Sequence, residues 1–226
     1  MRYENIRAGR FISRPNRFIA WVEIDGRQEK VHVKNTGRCR ELLTPGAEVY
    51  LQEHDGAARK TRFSLIAVRK GELLVNMDSQ APNKAVQEWL RETEFFGRPL
   101  LIKPECRFGD SRFDFYLETD KGKMFIEVKG VTLEENGAAR FPDAPTERGI
   151  KHLHGLADCL KEGYGAAVIF VVQMSGMKYF EPNRKTHPEF ACALREAAAA
   201  GVQVLAWECE TAPDALRMKS PLPVQL

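Results

Sequence analysis

The chain has 226 residues, 43% of them hydrophobic and 29% charged, an ordinary globular balance that excludes disordered and fibrous classes and can bury a sizeable core. Its longest apolar run, residues 166–172, is far short of the roughly 20 that cross a bilayer, and the polar opening MRYENIRAGR offers no apolar stretch for a secretory signal, so a cytoplasmic protein with no membrane partner is expected. The net charge of +3 is uneven: residues 1–80 hold 15 Lys+Arg against 10 Asp+Glu, and residues 81–226 hold 19 against 21, as for a polyanion-binding module joined to a part that attracts cations.

The first eighty residues read as strands. Aromatic and β-branched residues fill 9–14, 17–24 and 29–33, with turn material at Arg14-Pro15-Asn16-Arg17 and Asp25-Gly26. Further strands are predicted over 48–52, 62–68 and 72–75, and a brief helix over 39–43. Short strands in this number suggest an OB-like β-barrel for residues 1–80, a fold that commonly holds nucleic acid in a basic and aromatic groove. Arg10, Phe11, Arg14, Arg17, Phe18 and Trp21 have that chemistry, although Phe18 and Trp21 suit a core equally well. NTGR at 35–38 reads as a tight turn made possible by Gly37, either purely structural or offering Asn35 and Arg38 to a nucleic-acid backbone.

From residue 81 to 226 the pattern becomes alternating α and β. A helix is predicted over 85–93, strands over 100–107, 111–118 and 123–128, and a helix over 145–162. A buried strand over 166–172, an Ala-rich helix over 188–200 and a strand over 202–207 follow. Five scattered cysteines, none in a CxxC pair, fit reduced thiols rather than disulfides or a zinc site. His152 and His154, two apart on a helix, point in different directions.

Chemistry concentrates in GDSRFDFYLETDKGKMFIEVKG, residues 109–130, a hairpin candidate about the 119–122 turn. One register sets Asp114 opposite Glu127. The next sets it opposite Lys129 with Glu127 on the diagonal, and both bring the carboxylates within reach of one cation. Parity places Glu127 and Lys129 on one sheet face with Asp114, and Met124, Ile126 and Val128 on the other with Phe113, Phe115 and Leu117. Two close carboxylates need a counter-charge, supplied in part by Lys129 and otherwise by a hard cation, Mg²⁺ or Mn²⁺. Such a cation can activate water at a phosphodiester while the lysine positions the nucleophile or the phosphate.

This αβββαβ order with its D-x12-ExK spacing resembles the PD-(D/E)xK nuclease fold, although Phe113 stands where that fold has proline. The resemblance implies a first-helix Glu in the metal shell, for which Glu88 is the candidate, and a polar residue after the fourth strand, for which Gln173 is the candidate. Each has a structural reading as well: an exposed helix residue and a strand-end cap. Over its whole length the chain resembles the sugar fermentation stimulation protein A (SfsA) family, in RFIA at 17–20, HVKNTGRCRELLTPGAEVYL at 32–51, RFGDSRFDFYL at 107–117, IEVKGVTL at 126–133 and FPDAPTERGIKHL at 141–153. That resemblance implies an α/β two-domain chain: an OB-like barrel (1–80) followed by a PD-(D/E)xK nuclease-like domain (81–226) that binds DNA without marked sequence preference. In the last of these segments a loop enters a helix, where Thr146, Arg148, Lys151 and also His152, beside the carboxylate site, could meet a phosphate, with Arg148 and Lys151 on one face.

The expected function is a Mg²⁺- or Mn²⁺-dependent deoxyribonuclease with Asp114 and Glu127 as metal ligands, Lys129 assisting and Glu88 beyond them. The alternative is a non-catalytic, sequence-nonspecific DNA-binding regulator of sugar (maltose-type) metabolism genes. RNA follows the same charge logic as DNA, and a homodimer is open because many nucleases of this fold cut both strands as dimers.

Overall fold

The computed structural model describes residues 1–35, 37–55 and 60–226. The first sheet is built from β1 (Ile6–Asn16), β2 (Ile19–Ile24), β3 (Arg27–Val33), β4 (Glu48–Glu53), β5 (Phe63–Lys70) and β6 (Leu73–Asn76). Its order is β3-β2-β1-β4-β5-β6, and a parallel β3–β5 pairing, Val31↔Phe63 to Val33↔Leu65, closes the barrel. Alternation fills it: Phe11, Val22, Val31, Val49, Leu51 and Leu65 are buried. Phe11, offered above as a groove residue, is therefore core, whereas Phe18 is 51% exposed. The brief helix expected over 39–43 is a pair of turns, entered through Cys39 at a positive φ of 46°.

The second half opens with α1 (Ala81–Glu92), earlier than expected because Pro82 sits within its first turn, where proline's missing N–H costs nothing. There follow β7 (Pro99–Phe108), β8 (Ser111–Thr119), β9 (Gly122–Val131), β10 (Leu133–Glu135), β11 (Ala138–Phe141), α2 (Glu147–Lys161), β12 (Gly165–Val172), β13 (Tyr179–Pro182), α3 (Pro188–Ala199), β14 (Gln203–Ala212) and β15 (Ala215–Leu222). The main sheet runs β15-β14-β12-β9-β8-β7, with β9, β12 and β14 parallel. The expected αβββαβ order is present, with the β10–β11 hairpin inserted before α2 and joined to β13 in a small third sheet.

Both faces of the main sheet are covered. The helices α2 and α3 pack on Phe125, Val168 and Phe170; α1 packs on Ile126, Val128, Ile169 and Trp207. Near-continuous apolar strands such as AAVIFVV are what a sheet buried on two sides requires. The Thr146 Oγ1 accepts from the Gly149 N–H to cap α2, and Gly163, at φ 82°, releases the chain at its far end. The first residues cross to this half: Arg2 bridges Ala215, and the Met1 ammonium donates to the Leu216 carbonyl.

Polar ties join the two parts. Lys70 Nζ donates to Glu134 Oε2 at 2.7 Å across the junction, and on the barrel side of it Lys34 Nζ holds the buried Asp78 at 2.8 Å. The Gln173 amide donates to the carbonyls of Asn76 and Asp78, at 3.0 and 3.1 Å.

Candidate functional site

The β8–β9 hairpin takes the first of the two expected registers: pairing runs from Thr119↔Gly122 to Phe115↔Ile126 and stops there. At the next position Asp114 uses its side chain instead. Its Oδ2 accepts from the Val128 N–H at 2.8 Å, and its Oδ1 accepts from the Asn83 amide of α1 at 2.7 Å. The strand is irregular here, since Glu105 on the facing strand has a φ of 54°. One expectation fails as a result. Phe113 does not share a face with Phe115 and Leu117; it packs against Phe125 and edge-on to His152, on the α2 side.

While Asp114 and Lys129 beside it are half-buried, Glu127 is 3% exposed. Lys129 Nζ donates to its Oε1 at 2.6 Å, and His152 Nδ1 bonds the same oxygen. Its other oxygen, Oε2, is buried with no hydrogen-bond partner. A buried carboxylate oxygen without a donor is costly unless something positive meets it. Burial works to raise the Glu127 carboxyl, but His152 and Lys129 overcome it and hold the group below the ordinary carboxylate range. Asp114 moves the opposite way. Burial and the charge of Glu127 push it up against the pull of Val128, Asn83 and Lys129.

The donor set fits a hard cation. The pair supplies oxygens only, and among the described residues no three His, Cys, Asp or Glu side chains gather into a metal cage. Two carboxylates, with water and substrate completing the shell, are what Mg²⁺-type sites use. The orphaned Glu127 Oε2 is the atom such an ion would satisfy.

The other expected site residues divide. Glu88 does not join the pair: five residues past Asn83 it lies on another face of α1, and its Oε2 takes the Met1 ammonium at 2.5 Å. Gln173 directly follows β12 and lies against Gly130, whose added Cβ would meet its Oε1 at 2.5 Å, but its amide serves the junction with the barrel. Arg14 is structural. Its guanidinium donates to the carbonyls of Arg17, Asn35, Gly37 and Arg38, at 2.6 to 2.9 Å. Asn35 Oδ1 accepts from the Gly37 N–H, so its side chain is spent inside the turn, while Thr36 lies outside the described residues. Gly37 owes its place to crowding against Asp143 and Asn35 rather than to a positive φ.

Arg10 is exposed, with a long 3.3 Å contact to the Gly46 carbonyl. Arg17 and Arg38 are exposed and line a cleft of about 640 Å³ together with Ile12, Arg40 and Ala144. The Arg38 N–H donates to Asp143 Oδ2, which brings the barrel loop onto the loop before α2. Thr146 spends its oxygen as the α2 cap. Arg148 and Lys151, both exposed on α2, meet different neighbours: Arg148 Nε lies 3.4 Å from His152 Nε2, while Lys151 lines a second cleft with Asp110, His154 and Asp158.

Two residues at these sites, Asn83 and Arg40, are not singled out by the sequence, and His152 is singled out there as a phosphate contact, whereas the structure bonds it to Glu127. Asn83 reads there as lead-in to its helix and Arg40 as part of the short helix expected over 39–43.

Two family models match in chain order: "SfsA N-terminal OB domain" over residues 12–77 and "Sugar fermentation stimulation protein RE domain" over residues 80–215. Sugar fermentation stimulation protein homologs from Clostridium beijerinckii and Desulfitobacterium hafniense are 55% and 56% identical over 226 residues, covering all of this chain and 100% and 99% of those relatives. A solved structure of Pyrococcus furiosus SfsA in complex with Ca²⁺ superposes with a TM-score of 0.89 at 30% identity, covering 100% of this chain and 98% of that one. An OB barrel, an α/β second half and whole-length relatives of this identity lead to one conclusion: the chain belongs to the sugar fermentation stimulation protein family.

Proposed function

We propose that the chain is a divalent-cation-dependent nuclease that hydrolyses phosphodiester bonds in DNA, with a PD-(D/E)xK-like second half. The observation that carries this reading is the bare, buried Oε2 of Glu127, beside an Asp114 carboxyl raised by burial and then by the charge of Glu127. The Pyrococcus furiosus relative, solved in complex with Ca²⁺, supports it.

Asp114 and Glu127 would hold Mg²⁺ or Mn²⁺, which supplies a Lewis acid for the phosphoryl oxygen and a lowered pKa for the attacking water. Asn83 and the Val128 N–H orient Asp114. Lys129, anchored on Glu127, places a fixed positive charge beside the scissile phosphate, where charge builds in the transition state. Burial of Glu127 strengthens its interactions with these partners. Arg17, Arg38 and Arg40 would carry the nucleic-acid backbone along the barrel cleft towards the loop before α2, and Arg148 would meet it there.

Cleavage of labelled single- and double-stranded DNA, with RNA in parallel, in EDTA, Mg²⁺ or Mn²⁺ tests the reading. Cutting is expected only with the cation, falling at least ~100-fold in Asp114→Asn and Lys129→Met, the scale of losing one charge-stabilising group. Binding without cutting under every condition would instead favour the non-catalytic DNA-binding regulator.

A further inference from the structure

We propose that His152 is the positioning residue of Glu127, held in a single tautomer by Arg148, so that α2 aims the carboxylate of β9. The inference rests on the cation reading above and adds a part to it. The Nε–H of arginine can only donate, and that of Arg148 lies 3.4 Å from His152 Nε2. That ring nitrogen therefore accepts. A neutral imidazole then carries its proton on Nδ1, the atom that faces Glu127 Oε1.

Two donors, Lys129 Nζ and His152 Nδ1, thus converge on one carboxylate oxygen. Together they fix the carboxylate plane and leave Oε2 bare and buried. The His152 ring has little freedom to do otherwise. It is 6% exposed, and its centroid stands 6.0 Å from that of Phe113, edge to face. Partners of this kind fix the orientation of a ligand and are worth roughly 10–100-fold in metal affinity. Among the described residues Arg148 has no acidic side chain within ion-pair distance, so its outer N–H groups are free to contact a phosphate. Substrate contact and ligand geometry would then meet in one side-chain relay.

His187 provides an internal reference. Its Nδ1 accepts from the Thr146 N–H at 3.3 Å, so its proton belongs on Nε2, opposite to His152.

The test titrates Mn²⁺ into metal-free wild type, His152→Asn and His152→Leu by calorimetry, and reads the histidine tautomers by ¹⁵N NMR. The Asn amide can replace the Nδ1–H, so binding within about threefold of wild type is expected there, against a loss of ~10-fold or more in Leu. NMR should show Nδ1–H for His152 and Nε2–H for His187, with the His152 preference reduced in Arg148→Leu. Equal Mn²⁺ affinity in all three proteins, or His152 as the Nε2–H tautomer, would overturn the inference and leave the cation reading standing. A wild type that binds no Mn²⁺ would overturn both. If His152→Leu does not fold, the wild-type tautomer decides.

Discussion

At the scale of single residues, burial decides which groups are available for chemistry. Asp114, Glu127 and Lys129 are legible in the sequence because strand parity and hairpin spacing are rigid rules. Asn83's bond to Asp114 and His152's bond to Glu127 are not, because both residues arrive from helices whose rotation about their axes a sequence does not give. The same logic applies to the thiols. Burial pushes Cys39, Cys159 and Cys209 up to about 12, while Cys192 is exposed. Native protein treated with a thiol-specific disulfide reagent at neutral pH should modify Cys192 first and spare those three until it unfolds. Rapid native modification of Cys39 or Cys209 would contradict their placement.

At the scale of elements, the loop at 35–38 shows how basic residues divide between structure and binding. Arg14 and Arg17 look equivalent in sequence, yet the Arg14 fork spans four carbonyls and Arg17 faces the cleft. Arg14→Ala should cost about 2 kcal/mol in chemical denaturation, with no rescue by Lys, which lacks the planar fork. Arg17→Ala should stay within ~0.5 kcal/mol of wild type but lower the salt slope of DNA binding by about 1. A destabilised Arg17→Ala would reverse these assignments. Long periodic elements are legible to within a few residues of their ends. The strands β10, β11, β13 and β15 are not. The first three have three or four residues each, too few for a period to register, and β15 alternates charged residues with apolar ones along a Pro-containing edge.

At the scale of the whole molecule, a change of pattern near residue 80 makes the two parts visible, but not the ties between them. Asn76 and Asp78 lie far from Gln173 in the chain, and all three are ordinary surface types until folding buries them together. The Lys70–Glu134 bond is the tie that pH should report. Lys70, then the Gly137 N–H, hold the Glu134 carboxyl below its ordinary value. A carboxyl lowered by folding adds stability that is complete above its unfolded pKa and is lost as pH falls through the carboxylate range. The wild type should therefore exceed Lys70→Met in thermal stability at neutral pH, by a small and salt-sensitive margin that vanishes in acid. A margin that grows in acid would refute the tie.

The central claim is that Asp114 and Glu127 jointly hold a cation. The most direct measurement is anomalous diffraction from crystals equilibrated with Mn²⁺. A peak is expected at coordination distance, about 2.1 Å, from an oxygen of each carboxylate, with Glu127 contributing Oε2. A saturating soak that leaves the pair empty, or places Mn²⁺ only elsewhere, would contradict it.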